Sequence, residues 1–111
     1  EAHSTKQFED GVGWGLETDP QSLAATKRAP PTVDAATFAR MCASIRAPTL
    51  VIQGTDERLT HVTQGIAVAQ SIPRARLELI VGGGHLVNAR EPVRVNLLIR
   101  AFIESLKRAE P

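Results

Sequence analysis

Two short loops carry side chains that could perform acid–base chemistry. Gly54-Thr55-Asp56-Glu57-Arg58 follows an apolar run at 49–53, and Gly82-Gly83-Gly84-His85 follows an apolar run at 77–81. If the two runs are neighbouring parallel strands, about 4.8 Å apart, a carboxylate and an imidazole leave the same edge of the sheet side by side. A histidine that acts as a general base needs such a carboxylate to fix its tautomer and to stabilise the imidazolium. Taken alone, each loop has a simpler interpretation, as a solvated histidine or a helix cap, but their combination predicts an acid–base pair.

The elements that must position these loops alternate between strands and helices. The run Thr49-Leu50-Val51-Ile52-Gln53 is typical of a strand in a parallel sheet, and Leu77-Glu78-Leu79-Ile80-Val81 predicts a second strand. Helical spacing of apolar residues follows each strand, at Val62, Ile66, Ala69 and Ile72, and then at Val95, Leu98, Ile99, Phe102 and Leu106. The short links predict a parallel βαβ unit with one more helix, which is α/β architecture.

The part of the chain before Pro48 has weaker patterns. Its G-x-G-x-G stretch around Trp14 lacks the preceding strand of a dinucleotide fingerprint, which disfavours phosphate binding. A short helix and loops are predicted there, packed by Phe8, Val12, Trp14 and Leu16. From Thr32 a helix is predicted whose apolar stripe consists of Phe38, Met41, Cys42 and Ile45, and which ends before Pro48.

Composition narrows the class of protein further. The 111 residues include 13 Lys+Arg and 12 Asp+Glu, and a net charge of +1 does not favour a nucleic-acid binder. The single cysteine, Cys42, excludes an intramolecular disulfide, and the three histidines show no metal-ligand spacing, so no metal or organic cofactor is expected.

No apolar run approaches the roughly 20 residues that span a bilayer, and no secretory leader opens the chain, so we expect a cytoplasmic location. Because the chain begins at Glu1 and contains one methionine, Met41, we expect a piece of a longer protein or a processed product.

The stretch from Ala47 to Leu106 resembles the C-terminal third of an α/β-hydrolase. The motifs that carry the resemblance are Pro48-Thr49-Leu50-Val51-Ile52-Gln53-Gly54, Ile72-Pro73-Arg74-Ala75-Arg76-Leu77, Gly83-Gly84-His85 and Glu91-Pro92, in the family's order and spacing. The resemblance implies that the two predicted strands are the last two of an eight-stranded sheet. It also implies that residues 1–46 form a cap or lid segment and residues 47–111 the C-terminal portion of the core.

The same resemblance implies roles for individual residues. His85 matches the triad histidine, and Glu57 stands at the position of the triad acid, where the family usually has aspartate. Asp56 is the alternative acid, but we favour Glu57, because Arg58 also matches a common residue after the acid. His61 stands where many members have proline and is predicted to be structural or exposed, and His3 matches no motif.

The family's nucleophile motif, G-x-S-x-G, is absent from the sequence. None of the five serines has glycine at both flanking positions, and Cys42 is better interpreted as a core residue than as a nucleophile. The chain therefore carries a histidine and an acid without a nucleophile, and we expect it to be inactive alone. The resemblance implies a parent hydrolase that acts on an ester or related acyl bond of a small molecule. Dehalogenase or epoxide-hydrolase chemistry would use the same two loops with an upstream aspartate.

Two other classes of function are compatible with parts of the pattern. The fold could serve as a non-catalytic binding or regulatory domain of a multidomain protein, whereas a nucleotide-binding domain is disfavoured by the lack of a P-loop.

The predicted strand at 49–53 is expected to lack a neighbour on one side. Because an unpaired strand edge invites pairing, we expect the isolated chain to self-associate or to pair with a missing N-terminal part.

Overall fold

The computed structural model describes residues 5–30 and 33–108, so predictions that fall on His3, Pro31 and Thr32 lie outside the described residues. The chain divides between Asp34 and Ala35 into two compact units. No helix in the described ranges is long and apolar enough to cross a membrane.

The first unit contains two helices, α1 (Thr5–Glu17) and α2 (Pro20–Arg28). Helix α2 begins at a cap, in which the Asp19 carboxylate accepts a 2.8 Å hydrogen bond from the Ser22 N–H. The prediction of a small core here is wrong for the described side chains, since Val12, Trp14 and Leu16 are 61–83% exposed. Residues two apart lie on opposite sides of a helix, so these three cannot share one buried face. The side chain of Phe8 lies outside the description.

The second unit is built on a two-stranded parallel sheet, which confirms the predicted α/β class. Strand β1 (Thr49–Gly54) pairs with β2 (Ala75–Ile80) in the register Thr49↔Ala75 to Gly54↔Ile80. The prediction that the second strand extends to Val81 is wrong, because this residue already lies in the turn.

The hydrogen-bond ladder uses one edge of β1. Thr49 and Thr55 donate their N–H groups across the sheet to the carbonyls of residues 74 and 80, at 3.0 Å each. Because the bonded residues of a parallel ladder alternate, Leu50, Ile52 and Gly54 direct their backbone groups to the opposite edge. No strand of the described residues pairs with that edge.

Four helices complete the second unit: α3 (Ala35–Ser44), α4 (Val62–Ser71), α5 (Val87–Arg90) and α6 (Pro92–Arg108). The short α5 was not predicted, because four residues are too few to show a helical period. Ile80 is fully buried at the centre of the core, and the other buried apolar side chains of the described residues are Cys42, Ile72 and Val95.

Helix α3 contacts α4 and lies in the second unit, although it falls within the predicted cap segment 1–46. Cys42 is buried, as its place on the apolar stripe predicts, but Phe38 and Met41 on the same stripe are about half exposed. A cap or lid role for residues 1–46 stays a prediction.

Candidate active site

The loops that leave β1 and β2 are joined through their backbones. We call residues 55–60 the acid loop and residues 81–86 the histidine loop. The Asp56 N–H donates to the Gly83 carbonyl at 2.9 Å, and the Gly82 N–H donates to Thr55 Oγ1 at 2.9 Å. These bonds extend the contact between the strands beyond the end of the sheet, so they set the relative position of the two loops.

Glycine is required at two points of this junction. A Cβ atom on Gly54 would overlap the backbone carbonyl of Gly83, so the two chains could not approach as they do. Gly82 has a φ of +74°, a conformation that glycine adopts at little cost. The glycines therefore allow the histidine loop to turn back over the end of β1.

The junction brings Glu57 and His85 together, as the sequence predicts. The His85 Nδ1 atom lies 2.8 Å from Glu57 Oε2. The other carboxylate oxygen, Oε1, accepts hydrogen bonds from the backbone N–H groups of Leu59 at 2.8 Å and Thr60 at 3.4 Å. The Glu57 side chain is 8% exposed and the His85 side chain 48%, so the acid is enclosed while the imidazole remains accessible.

The charge state of Glu57 follows from these contacts. The Leu59 amide, and then His85 and the Thr60 amide, hold the pKa of the Glu57 carboxyl below its usual value, against the opposing effect of burial. An ionised carboxylate can only accept hydrogen bonds, so the proton between the two side chains belongs on His85 Nδ1. In the neutral form of the ring Nε2 carries the lone pair, and this atom makes no hydrogen bond to residues 5–30 or 33–108.

The structure does not bring the alternative acid to the histidine. The Asp56 side chain is exposed, and its carboxylate makes no hydrogen bond within the described chain. Its backbone N–H holds Gly83 instead, so Asp56 contributes to the loop junction through its main chain. The role of Glu57 as triad acid stays a prediction, which this geometry favours.

His61 lies away from this pair and caps helix α4. It is exposed, and its Nδ1 accepts a 3.4 Å hydrogen bond from the Thr63 N–H and lies 2.9 Å from Thr63 Oγ1. Among residues 5–30 and 33–108, no group of three or more His, Cys, Asp and Glu side chains could hold a metal ion.

Three residues near the pair were not singled out from sequence: Gln53, Thr55 and Leu86. The side chains of Gln53 and Thr55 hold the acid loop and the histidine loop, respectively, through backbone groups. Leu86 has a φ of +55°, and it is the one non-glycine residue with positive φ in the described residues. No local sequence signal marks these roles, because each depends on a partner in another segment or on an unusual backbone angle for leucine.

Two known proteins resemble the chain over slightly more than half of its length. It is 34% identical over 61 residues to "Putative carbamate hydrolase RutD" of Pseudomonas syringae pv. syringae (strain B728a), covering 55% of this chain and 24% of that protein. Its fold matches the crystal structure of "Putative non-heme bromoperoxidase BpoC" from Mycobacterium tuberculosis H37Rv with a TM-score of 0.58 and 33% identity. That match covers 60% of this chain and 25% of the other. No family model matches the sequence.

These matches confirm the resemblance on which the site residues rest. The chain carries part of an α/β-hydrolase fold, which it shares with the solved structure that it matches. It spans about a quarter of the length of each protein that it matches.

Proposed function

We propose that this chain supplies the general base and the acid of a hydrolase that cleaves an ester or related acyl bond. The observation that carries the proposal is the 2.8 Å contact between His85 Nδ1 and the anchored carboxylate of Glu57. It gives the imidazole a fixed tautomer, a stabilising charge for its protonated form and an accessible Nε2. These are the properties that a general base in nucleophilic catalysis needs.

In the proposed mechanism, His85 Nε2 takes the proton of a nucleophilic hydroxyl as that group attacks the acyl carbon of the substrate. Glu57 stabilises the imidazolium, which then donates the proton to the leaving group. In a second round His85 activates water, which releases the acyl group from the nucleophile. We place the nucleophile outside these 111 residues, because no serine in the sequence has glycine both two residues before it and two residues after it.

The name of one relative supports an acyl carbon as the target. A carbamate carries such a carbon, and the carbamate hydrolase shares 34% identity with this chain over the matched residues. The substrate of the protein that contains this chain is therefore proposed to be a small ester, carbamate or similar acyl compound.

The test compares the full protein that contains this chain with its His85→Ala variant on p-nitrophenyl esters and carbamates. We expect turnover to fall by about 10³-fold or more, because the general base is lost. His61→Ala is the matched control and should leave turnover nearly unchanged. Equal activity of His85→Ala and the unsubstituted full protein would overturn the proposal. If the unsubstituted full protein has no turnover, the result favours a non-catalytic domain.

A second measurement concerns the nucleophile. The isolated 111-residue chain should hydrolyse none of these substrates and should not be labelled by a phosphonate that reacts with activated serines. Stoichiometric labelling would show that a serine of this chain is activated, against the proposal.

We further propose that the free edge of β1 pairs with another strand, from a second copy when the chain is isolated or from the remainder of the parent protein. The N–H and C=O groups of Leu50, Ile52 and Gly54, which point away from β2, support such pairing, as do the apolar side chains of β1. Sedimentation of the isolated chain should show dimers or larger species, whereas a strictly monomeric chain at high concentration would contradict the proposal.

A further inference from the structure

We propose that Gln53 is a positioning residue that closes the acid loop and thereby holds Glu57 against His85, and that Gly65 provides the space it needs. The inference rests on the proposed function for its catalytic consequence, but its structural part is tested independently below. Neither residue makes a hydrogen bond to Glu57 or His85. Gln53 acts through the backbone of the acid loop, and Gly65 acts through the Gln53 side chain.

The Gln53 side chain joins the two ends of the loop. Its Nε2 donates to the carbonyl of Thr60, at the end of the loop, at 3.2 Å, and lies 3.4 Å from the carbonyl of Gly54, just before the loop begins. Both partners are carbonyl oxygens, which only accept, so a donor is required at this position. A side chain of similar length without an N–H could not make either bond.

From Gln53 a series of hydrogen bonds leads to the imidazole. The Thr60 residue whose carbonyl Gln53 holds also donates its N–H to Glu57 Oε1 at 3.4 Å. The other oxygen of the same carboxylate contacts His85 at 2.8 Å. The Thr60 bond is the longer of the two backbone bonds to Glu57, so a shift of Thr60 would break it first.

Gly65 lies in the interior of α4, directly against the Gln53 side chain. A Cβ atom at this position would lie 2.6 Å from Gln53 Oε1 and 3.0 Å from its Cγ. Glycine in a helix interior lowers helix stability relative to alanine. Here its missing Cβ leaves the volume that the Gln53 amide occupies.

The first test uses Gln53→Met in the 111-residue chain, with Gln64→Met as the matched control. Gln53 and Gln64 both line a groove between α3, α4 and β1, but the Gln64 side chain makes no hydrogen bond to the described residues. The ¹⁵N shifts of the His85 ring report its tautomer. We expect Gln53→Met to lower the fraction of Nδ1–H tautomer and Gln64→Met to leave it unchanged. An unchanged tautomer in folded Gln53→Met would overturn the proposal.

In the full protein, Gln53→Met should lower kcat by about fivefold, as expected when the hydrogen bond to the Thr60 carbonyl is lost, and leave KM within about twofold. A rise in KM with kcat unchanged would contradict a role in positioning the base. If the full protein lacks hydrolase activity altogether, the proposed function fails, while the tautomer measurement still decides whether Gln53 positions the pair.

A double-mutant cycle tests the spatial part of the inference. Gly65→Ala should displace the amide and reproduce the tautomer shift of Gln53→Met, which also provides a readout should the latter fail to fold. In a Gln53→Ala background, Gly65→Ala should cause no further shift, because the two side chains no longer compete for space. Additive effects of the two substitutions would show that Gly65 does not act through Gln53.

Discussion

The acid loop encloses its carboxylate among backbone amides, whereas the histidine loop leaves about half of its imidazole exposed. Glu57 is held by three contacts, from Leu59, Thr60 and His85, and only one of them is a side chain. His85 has one partner in the described residues, which is Glu57 itself. The protein backbone thus orients the carboxylate of Glu57, and this carboxylate orients the imidazole of His85.

The two loops also reach their conformations by different means. The acid loop depends on polar side chains, since Gln53 donates to the Thr60 carbonyl and closes the loop, while the Thr55 hydroxyl accepts from the Gly82 N–H and joins it to the histidine loop. The histidine loop is shaped by unusual backbone angles, at Gly82 and at Leu86 directly after the histidine. The carbonyl of Leu86 accepts hydrogen bonds from the N–H groups of Ala89 and Arg90, which stabilises the angle by beginning α5 there. Removing a polar side chain should therefore disturb the acid loop, whereas replacing a residue that has an unusual backbone angle should disturb the histidine loop.

The largest expected effect separates the two candidate acids within the acid loop. In the full protein, Glu57→Gln should lower kcat by about 10⁴-fold, because a neutral amide neither fixes the tautomer nor stabilises the imidazolium. Asp56→Asn should leave kcat within about threefold, since the exposed Asp56 side chain makes no hydrogen bond or ion pair with His85 and a surface change of this kind is mild. Steady-state kinetics of both variants decides the matter, and the reverse pattern would identify Asp56 as the acid.

A smaller effect is expected on stability in acid. The Leu59 amide lowers the pKa of Glu57 in the folded chain, so this group's contribution to stability is complete above the usual glutamate pKa of about 4.3. The contribution is lost as pH falls through the lowered pKa of the folded state. The free energies of unfolding of the unsubstituted chain and of Glu57→Gln, measured in urea, should therefore converge as pH is reduced. A constant difference between the two across the acid range would contradict this assignment.

Asp19 requires attention in that measurement. Its pKa is also lowered, by hydrogen bonds from Ser22, so the helix cap of α2 titrates in the same direction. Comparing Glu57→Gln with the parent leaves the Asp19 contribution in both curves, and the difference between the curves reports Glu57 alone.

The junction between the loops should respond to loss of a single hydroxyl. Thr55→Val removes the acceptor of the Gly82 N–H and should lower the free energy of unfolding by about 1 kcal/mol. Thr55→Ser keeps the hydroxyl and is the matched control, expected to retain most of the stability. Denaturant unfolding measures both, and an equal loss in the two variants would mean that the methyl group, not the hydrogen bond, stabilises the junction.

The smallest effect compares one leucine from each loop. Leu86→Gly relieves a positive φ that costs leucine about 1–2 kcal/mol, which offsets the added freedom of glycine in the unfolded chain, so we expect stability to change little or rise. Leu59→Gly gains no such relief, because Leu59 does not have a positive φ, and should lose about 0.5–1 kcal/mol. Thermal unfolding of the two variants checks this. A loss at Leu86 as large as that at Leu59 would show that its backbone angle carries no cost.

The strands and the neighbouring loops could be predicted because their signals are local. Continuous apolar runs mark β1 and β2, and short links leave one arrangement in which both loops emerge at the same edge. Apolar composition was a poor guide to Trp14 and Leu16 in α1, because residues two apart in a helix lie on opposite sides and cannot share one buried face. Helix α5 was missed since its start depends on the left-handed angle of Leu86, which leucine rarely adopts.

Sequence alone determined the α/β class, the resemblance to α/β-hydrolases and the presence of a histidine and a carboxylate at one sheet edge. Only the tertiary structure decided that Glu57, and not Asp56, contacts His85. The physical reason is that successive residues of a loop point in different directions. Their directions are set by hydrogen bonds from Gly82 and Asp56 that join segments distant in the chain, and by the bond from Gln53 that closes the acid loop.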